Sequence, residues 1–303
     1  MGKTEKLSEK RIGLCRKMGL FGAIEEGVTV ARAITAAELE AAYELVHDVF
    51  VEKDYIPPMP GGIRLRPFEG VPRMATFVAR DRGRVVGVMS IVPHHPELGL
   101  PSDQAFCKEI GELRAAGRQV CEITNLAVKG QYRRSSAFTE LTRACFAQAL
   151  AWKCDDVFIA ISPGHAMFFE GVLQFDSCGD QRSYSAEKMD IVEGKRLDLR
   201  EVSERWADVD AVLGENALLV RYYLTDNPYH QRVGPWAEVA EIAFLQPQLL
   251  RRLFVERSGL LDRLGEEALA ILRREWGAGL FRMVWGQAAE IRPVGERVAA
   301  MAC

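Results

Sequence analysis

Apolar and polar positions alternate from Val28 to Ile34, where VTVARAI, rich in β-branched residues, predicts a strand. Thr35 stands three residues before Glu38, the capping-box spacing that opens a helix. Leu39, Ala42, Tyr43, Val46, Val49 and Phe50 follow at intervals of three and four, one apolar face over about five turns. Pro57, Pro58 and Pro60 with Gly61 and Gly62 end that helix. MATFVAR and RVVGVMSIV, separated by DRG, predict a β-hairpin, and a helical stretch from Ser102 to Ala116 comes next.

Cys121 to Ser136, CEITNLAVKGQYRRSS, reads as a strand carrying one carboxylate, then a short basic turn, then a helix start; the helical pattern runs from Ala137 to Cys154. DVFIAI, between Asp156 and Pro163, is a continuous apolar run and predicts a buried strand. SPGHAMFFEGVLQF gives a tight turn, a short amphipathic helix and re-entry into a strand near QRSYSAEKMDIV. From about Glu201 the period is helical, most strongly in LLRRLFVERSGLLDRLGEEALAILRREWG. An early hairpin, strands separated by helices and a late return make a mixed α/β sheet. The expected organisation is an N-terminal arm (1–27), an α/β unit (28–200) and a helical extension packing on it (201–303). The extension's amphipathic stripes cover the core, form a homodimer or bind a partner, and Trp206, Tyr222, Tyr223, Tyr229 and Trp236 favour real packing over a tail.

Composition narrows the function classes. A formal net charge of −3 over 303 residues argues against general nucleic-acid binding. No apolar run reaches the roughly 18 residues of a membrane span, and the basic start lacks the apolar core of a signal peptide. The seven cysteines are odd in number and show no CxxC spacing, which fits a reducing cytoplasm and suggests neither a disulfide framework nor a zinc knuckle. His94 and His95 adjoin, but no ligand set accompanies them and no metal is expected.

Candidate chemistry gathers at Cys121 to Ser136. A helix start offers unpaired N–H groups and a positive dipole end, so the turn before Ala137 is a place to hold a phosphate. The neighbouring strand brings Glu122 within reach of whatever hangs from it. Arg64, Arg66 and Arg73 lie in an irregular segment that either closes over an anionic substrate or is a solvated loop.

The order of these elements resembles the GCN5-related N-acyltransferase superfamily, and hence implies a mostly antiparallel, twisted sheet flanked by helices. VHDVFVEKDYI, TFVARDRGRVVGVMSIV, FCKEIGELRAAGRQVCEITNLAV and ISPGHAMFFEGVLQF are similar to long-chain N-acyl amino acid synthases, relatives of the acyl-homoserine lactone synthases, over roughly Val28 to Val192. The resemblance implies transfer of a fatty acyl group from acyl carrier protein or acyl-CoA to the α-amine of an amino acid, giving a membrane-active product, with no tightly bound cofactor. The alternatives are acyl-homoserine lactone synthesis, acetyl-CoA-dependent acetylation of a small amine, and a catalytically silent ligand-binding domain.

Under this resemblance Glu122 is the base, because the acceptor ammonium must lose a proton. Gln131, Arg133, Arg134, Ser135 and Ser136 hold the donor's phosphopantetheine. Backbone N–H groups at Leu126, Ala127 and Val128, where the strand splays, receive the oxyanion. Asn125, His165, Phe169, Arg64 and Arg66 line the acceptor site. Arg134 and Ser136 stand where the superfamily's turn has small residues, which favours a carrier protein's single phosphodiester over coenzyme A. Phe168 and Phe169 stand where many members have an acidic tyrosine. Asn125 replaces an arginine common in the lactone synthases, which disfavours S-adenosylmethionine as acceptor.

Overall fold

The computed structural model describes residues 12–13, 27–133, 135–184, 189–214 and 218–286. Strand β1 (Val28–Arg32) leads into helix α1 (Ala36–Glu52), whose start is capped as its sequence demands: Thr35 Oγ1 accepts from the Glu38 N–H at 3.2 Å while Glu38 Oε2 accepts from the Thr35 N–H at 3.2 Å. Strands β2 (Ala75–Asp81) and β3 (Arg84–Pro93) form the expected hairpin, followed by α2 (Asp103–Ala115), β4 (Val120–Val128), α3 (Ala137–Ala151), β5 (Asp156–Ile161) and α4 (Ala166–Gly171). QRSYSAEKMDIV is not one strand. The short β6 (Asp176–Ser177) and β7 (Arg182–Tyr184) each pair antiparallel with β8 (Met189–Asp198), and residues 185–188 of that string lie outside the described residues.

The sheet runs β1-β2-β3-β4-β5-β8-β6, every pairing antiparallel except β4 with β5. Apolar residues bury on both of its faces. Phe77, Met89, Cys121, Ile123 and Ile159 pack with Leu141, Cys145 and Phe146 of α3, whereas Val78, Val88 and Ala127 pack with Leu39, Tyr43 and Val46 of α1. Helix α3 tolerates burial nearly all round because its alanines, Ala137, Ala144, Ala147 and Ala149, add little bulk between two layers.

The region after residue 200 serves both faces. Helix α5 (Val202–Leu213), a π-helical turn (Val220–Thr225) and α6 (Val233–Phe244) add Trp206, Tyr223, Tyr229 and Val233 to the α3 side. The following segments, α7 (Pro247–Arg251), a second π-helical turn (Arg252–Arg257), α8 (Leu260–Arg263), α9 (Glu266–Trp276) and α10 (Ala278–Trp285), bring Leu253, Phe254, Leu272 and Trp276 against the α1 side. Between these two halves α6 packs beside β1, one of the two strands that end the sheet.

Polar contacts fix the attachment. Buried Glu140 on α3 accepts from Tyr222 at 2.8 Å, Tyr229 at 2.7 Å and Arg143 at 2.7 Å, and the Trp206 and Trp276 indoles donate to the carbonyls of Leu173 and Gly70. Among the described residues no helix is long and apolar enough to cross a membrane. Of the N-terminal arm only Ile12, Gly13 and Gly27 are described, and Ile12 is buried in the α3-side core.

Two local features open the sheet. Parallel pairing of β4 and β5 covers only Val120 to Glu122 opposite Asp156 to Phe158, after which the strands part. In the same stretch the β3 register slips between Val88 and Ser90, where Asn125 adopts φ +54°. Asparagine tolerates that left-handed conformation better than most residues, so it can hold the extra residue of a β-bulge.

Candidate active site

A cavity of about 450 Å³ fills the gap between β4 and β5. Its apolar wall comes from Ile123, Leu126 and Val128 of β4, Ile159 and Ile161 of β5, and Phe138, Phe168 and Phe169. Those three rings pack together, with Phe138 centred 4.7 Å from Phe168 and 6.3 Å from Phe169. Its polar wall carries Arg64, Arg66, Glu122, Asn125 and Tyr184.

Glu122 is 2% exposed. Each carboxyl oxygen accepts one bond from Ser102, the residue that begins α2: the backbone N–H reaches Oε2 at 2.8 Å and Oγ reaches Oε1 at 2.8 Å. Burial penalises the charged form more than these two bonds and the nearby Arg66 favour it, so its pKa is pushed up to about 7. A carboxyl so placed exchanges a proton readily near neutral pH.

The bulge at Asn125 is what brings the polar wall together. Strict alternation along β4 would turn residue 125 to the α3 face, together with Ile123; the extra residue re-aims it. Its Oδ1 accepts from Arg64 Nη1 at 2.9 Å and Arg66 Nη2 at 3.3 Å, and its Nδ2 donates to Glu69 Oε1 at 3.0 Å and Ser90 Oγ at 3.3 Å. A buried chain continues across the sheet, Ser90 to Thr76 at 3.0 Å and Thr76 to the Tyr43 hydroxyl of α1 at 3.2 Å. The Glu69 carboxylate accepts twice from Arg66, at Oε1 from Nη2 at 2.7 Å and at Oε2 from the Arg66 backbone N–H at 2.6 Å. Burial alone would raise the pKa of Glu69; Arg66 first, then Arg64 and Asn125, reverse this and hold it below the usual carboxylate range.

At the rim, Ser162 Oγ lies 2.8 Å from His165 Nδ1 and 3.1 Å from the Tyr55 hydroxyl, and all three line the cavity with Lys53 and Arg133. Burial, then Lys53 and Arg133, keep the His165 pKa below its ordinary value.

Of the residues expected from sequence, Glu122, Asn125, Leu126, Val128, Arg133, His165, Phe169, Arg64 and Arg66 all line this one cavity. Ala127 does not: its side chain packs on the α1 side. Lys129 donates to the Val86 carbonyl at 2.9 Å, so alternation directs the Ala127 N–H toward β3 and the Val128 N–H toward the side β5 has left. Gln131, Ser135 and Ser136 lie in the turn before α3 without lining the cavity. Gln131 is exposed, while Ser135 is buried, bonding the Tyr132 carbonyl at 2.8 Å and the Ala137 N–H at 3.2 Å. Arg134 lies outside the described residues.

Sequence reasoning missed Glu69, Ser102, Tyr55, Ser162 and Tyr184. Only Glu69 carried a signal, the Arg66–Glu69 spacing of three within an otherwise apolar and turn-rich string. Tyr184 faces Glu122 from β7; burial and that carboxyl push its phenol up to about 12, and it donates to the Pro101 carbonyl at 2.7 Å. His94 and His95 are held by Arg114 and Glu275, and no cluster of three or more possible metal ligands forms among the described residues.

The structure of FeeM, an N-acyl amino acid synthase from uncultured soil microbes, superposes with a TM-score of 0.52 at 20% identity, over 58% of this chain and 93% of that one. The acyl-homoserine lactone synthase BjaI, solved with S-adenosylmethionine and isopentyl-CoA, gives 0.42 at 17% identity, over 70% of this chain and 97% of its own. An N-acetyltransferase from Staphylococcus aureus Mu50 also gives 0.42 at 17%, over 57% and 98%. No curated protein sequence matches significantly. The family described as "N-acyl amino acid synthase FeeM" matches residues 41–192, half of the chain, and that span contains every residue of the cavity wall; the chain belongs to this family and is an acyltransferase.

Proposed function

We propose that the protein moves a long-chain fatty acyl group from a phosphopantetheine thioester, borne by acyl carrier protein or coenzyme A, to the α-amine of an amino acid, with Glu122 as the general base. The observation that carries this reading is a buried carboxyl with a pKa near 7 opening onto a largely apolar cavity between two parting strands. Glu122 takes a proton from the acceptor ammonium, and the freed amine attacks the thioester carbonyl. The Val128 N–H is available to the oxyanion. Collapse breaks the C–S bond and the amide nitrogen loses its second proton. Thioester and ammonium thus give amide, thiol and one released proton.

Ligand sites commonly measure roughly 300–1,000 Å³, and an acetyl group would leave most of this cavity empty. Exposed Gln131 and Arg133 at the turn before α3 offer polar contacts to the donor's phosphate near the helix start. The experiment incubates the protein with palmitoyl carrier protein, palmitoyl-CoA or acetyl-CoA and a mixture of the twenty amino acids. Mass spectrometry is expected to show N-palmitoyl amino acids; acetylated products alone, or none, would overturn the proposal.

A further inference from the structure

We infer that Arg64 and Arg66 receive the acceptor's free carboxylate, so that the enzyme acylates α-amino acids and rejects amines in which that carboxylate is amidated or absent. This rests on the reading above and specifies how its acceptor is recognised.

Arg64 and Arg66 both line the cavity, whereas Glu69, which grips Arg66, does not. The Glu69 carboxylate thus meets Arg66 from outside the cavity wall. Holding arginines this way is costly unless their geometry matters: Arg64 is buried, stacked 5.1 Å over the Phe50 ring, and both side chains converge on one oxygen, Asn125 Oδ1. A guanidinium presents several N–H donors in one plane, matching the two oxygens of a carboxylate. With the orientation set before substrate arrives, little rotamer freedom remains to be lost on binding.

The second observation is the position of Glu122. Arg66 is close enough to act electrostatically on the Glu122 carboxyl, so base and arginines share one end of the cavity. An α-amino acid carries its amine and carboxylate on one carbon. Docked with the carboxylate on Arg64 and Arg66, it presents its ammonium toward Glu122 and its nitrogen toward the gap where the thioester arrives. The amide of Asn125 orients both arginines, and Ser90, Thr76 and Tyr43 hold that amide in turn; these are positioning residues.

The test offers the full-length protein palmitoyl donors with two matched mixtures, the twenty amino acids and their carboxamides, and reads kcat/KM for each by mass spectrometry. The acids are expected to exceed the amides by about 100-fold or more, since a site built for a polar group rejects the analogue lacking it. In Arg66→Gln that ratio is expected to fall at least about 10-fold, through a rise in KM for the acids that the amides do not share, any change in kcat through Glu122 being common to both. Arg66→Lys, which keeps the charge without the fork, should recover part of the ratio and guards against misfolding of the glutamine variant. Equal use of acids and amides by the wild type would overturn the inference while leaving acyl transfer standing; acylation of neither would overturn both.

Discussion

Two buried glutamates, Glu69 bonded to Asn125 and Glu122 three residues before it, show how differently one fold can set the same side chain. Glu69 and Glu122 are each 2% exposed and each accepts hydrogen bonds on both oxygens. Burial pushes both toward the protonated form. Glu69 meets two guanidinium groups and is held below the usual carboxylate range, whereas Glu122 meets one serine and is pushed up to about 7. The partners, not the burial, decide which carboxyl can exchange a proton and which is a fixed charge.

Removing the exchangeable carboxyl has the largest expected effect. Glu122→Gln keeps shape and burial and is expected to lower turnover about 10²- to 10⁴-fold, the usual contribution of a general base. Wild-type turnover across pH 6 to 9 would remove the base assignment. Next in size is Glu69→Ala, which leaves Arg66 without its carboxylate partner behind the site. Unfolding in urea should report a loss of about 3–5 kcal/mol. A variant as stable as the wild type would show that Glu69 is no structural counter-ion.

The pH dependence of stability separates the two with opposite signs. The folded-state pKa of Glu122 lies above the ordinary 4.5, so its contribution is fully present below about 4.5 and is lost as pH rises toward 7. The span corresponds to about 3 kcal/mol at 1.36 kcal/mol per pH unit. The folded-state pKa of Glu69 is depressed, so its contribution is present above the ordinary value and lost as pH falls through the folded one. Denaturant midpoints measured from pH 3 to 8 should therefore show a decline between 4.5 and 7 that Glu122→Gln abolishes; an unchanged decline would refute it. The smallest expected effect is Ser102→Ala. Loss of the hydroxyl that stabilises the Glu122 carboxylate should move the midpoint of the kcat/KM pH profile up by about one pH unit, while a downward move would contradict the assigned role.

Much of this was legible in the sequence because it follows from local rules. The capping box at Thr35, the hairpin around DRG, the turn before Ala137 and a carboxylate on the central strand depend on neighbours a few residues away. The family resemblance drew on the order and spacing of those same elements taken together. Glu69 and Ser102 were not legible, because each reaches Asn125 or Glu122 only after the segment before β2 and the start of α2 fold against β4, over 56 and 20 residues of separation.

The reach of the C-terminal region was likewise hidden. Its amphipathic stripes announced packing, but periodicity cannot say which face of a sheet a helix covers, and this region covers both. By itself the sequence determined the elements, their order and the residue types available for acyl transfer, since those follow from spacing and backbone preference. Tertiary structure alone decided that β4 and β5 part after Glu122, that one bulge turns Asn125 onto Arg64 and Arg66, and that one buried glutamate is charged while another is poised near neutrality. Burial and partner geometry are properties of segments brought together from across the chain, and no local pattern encodes them.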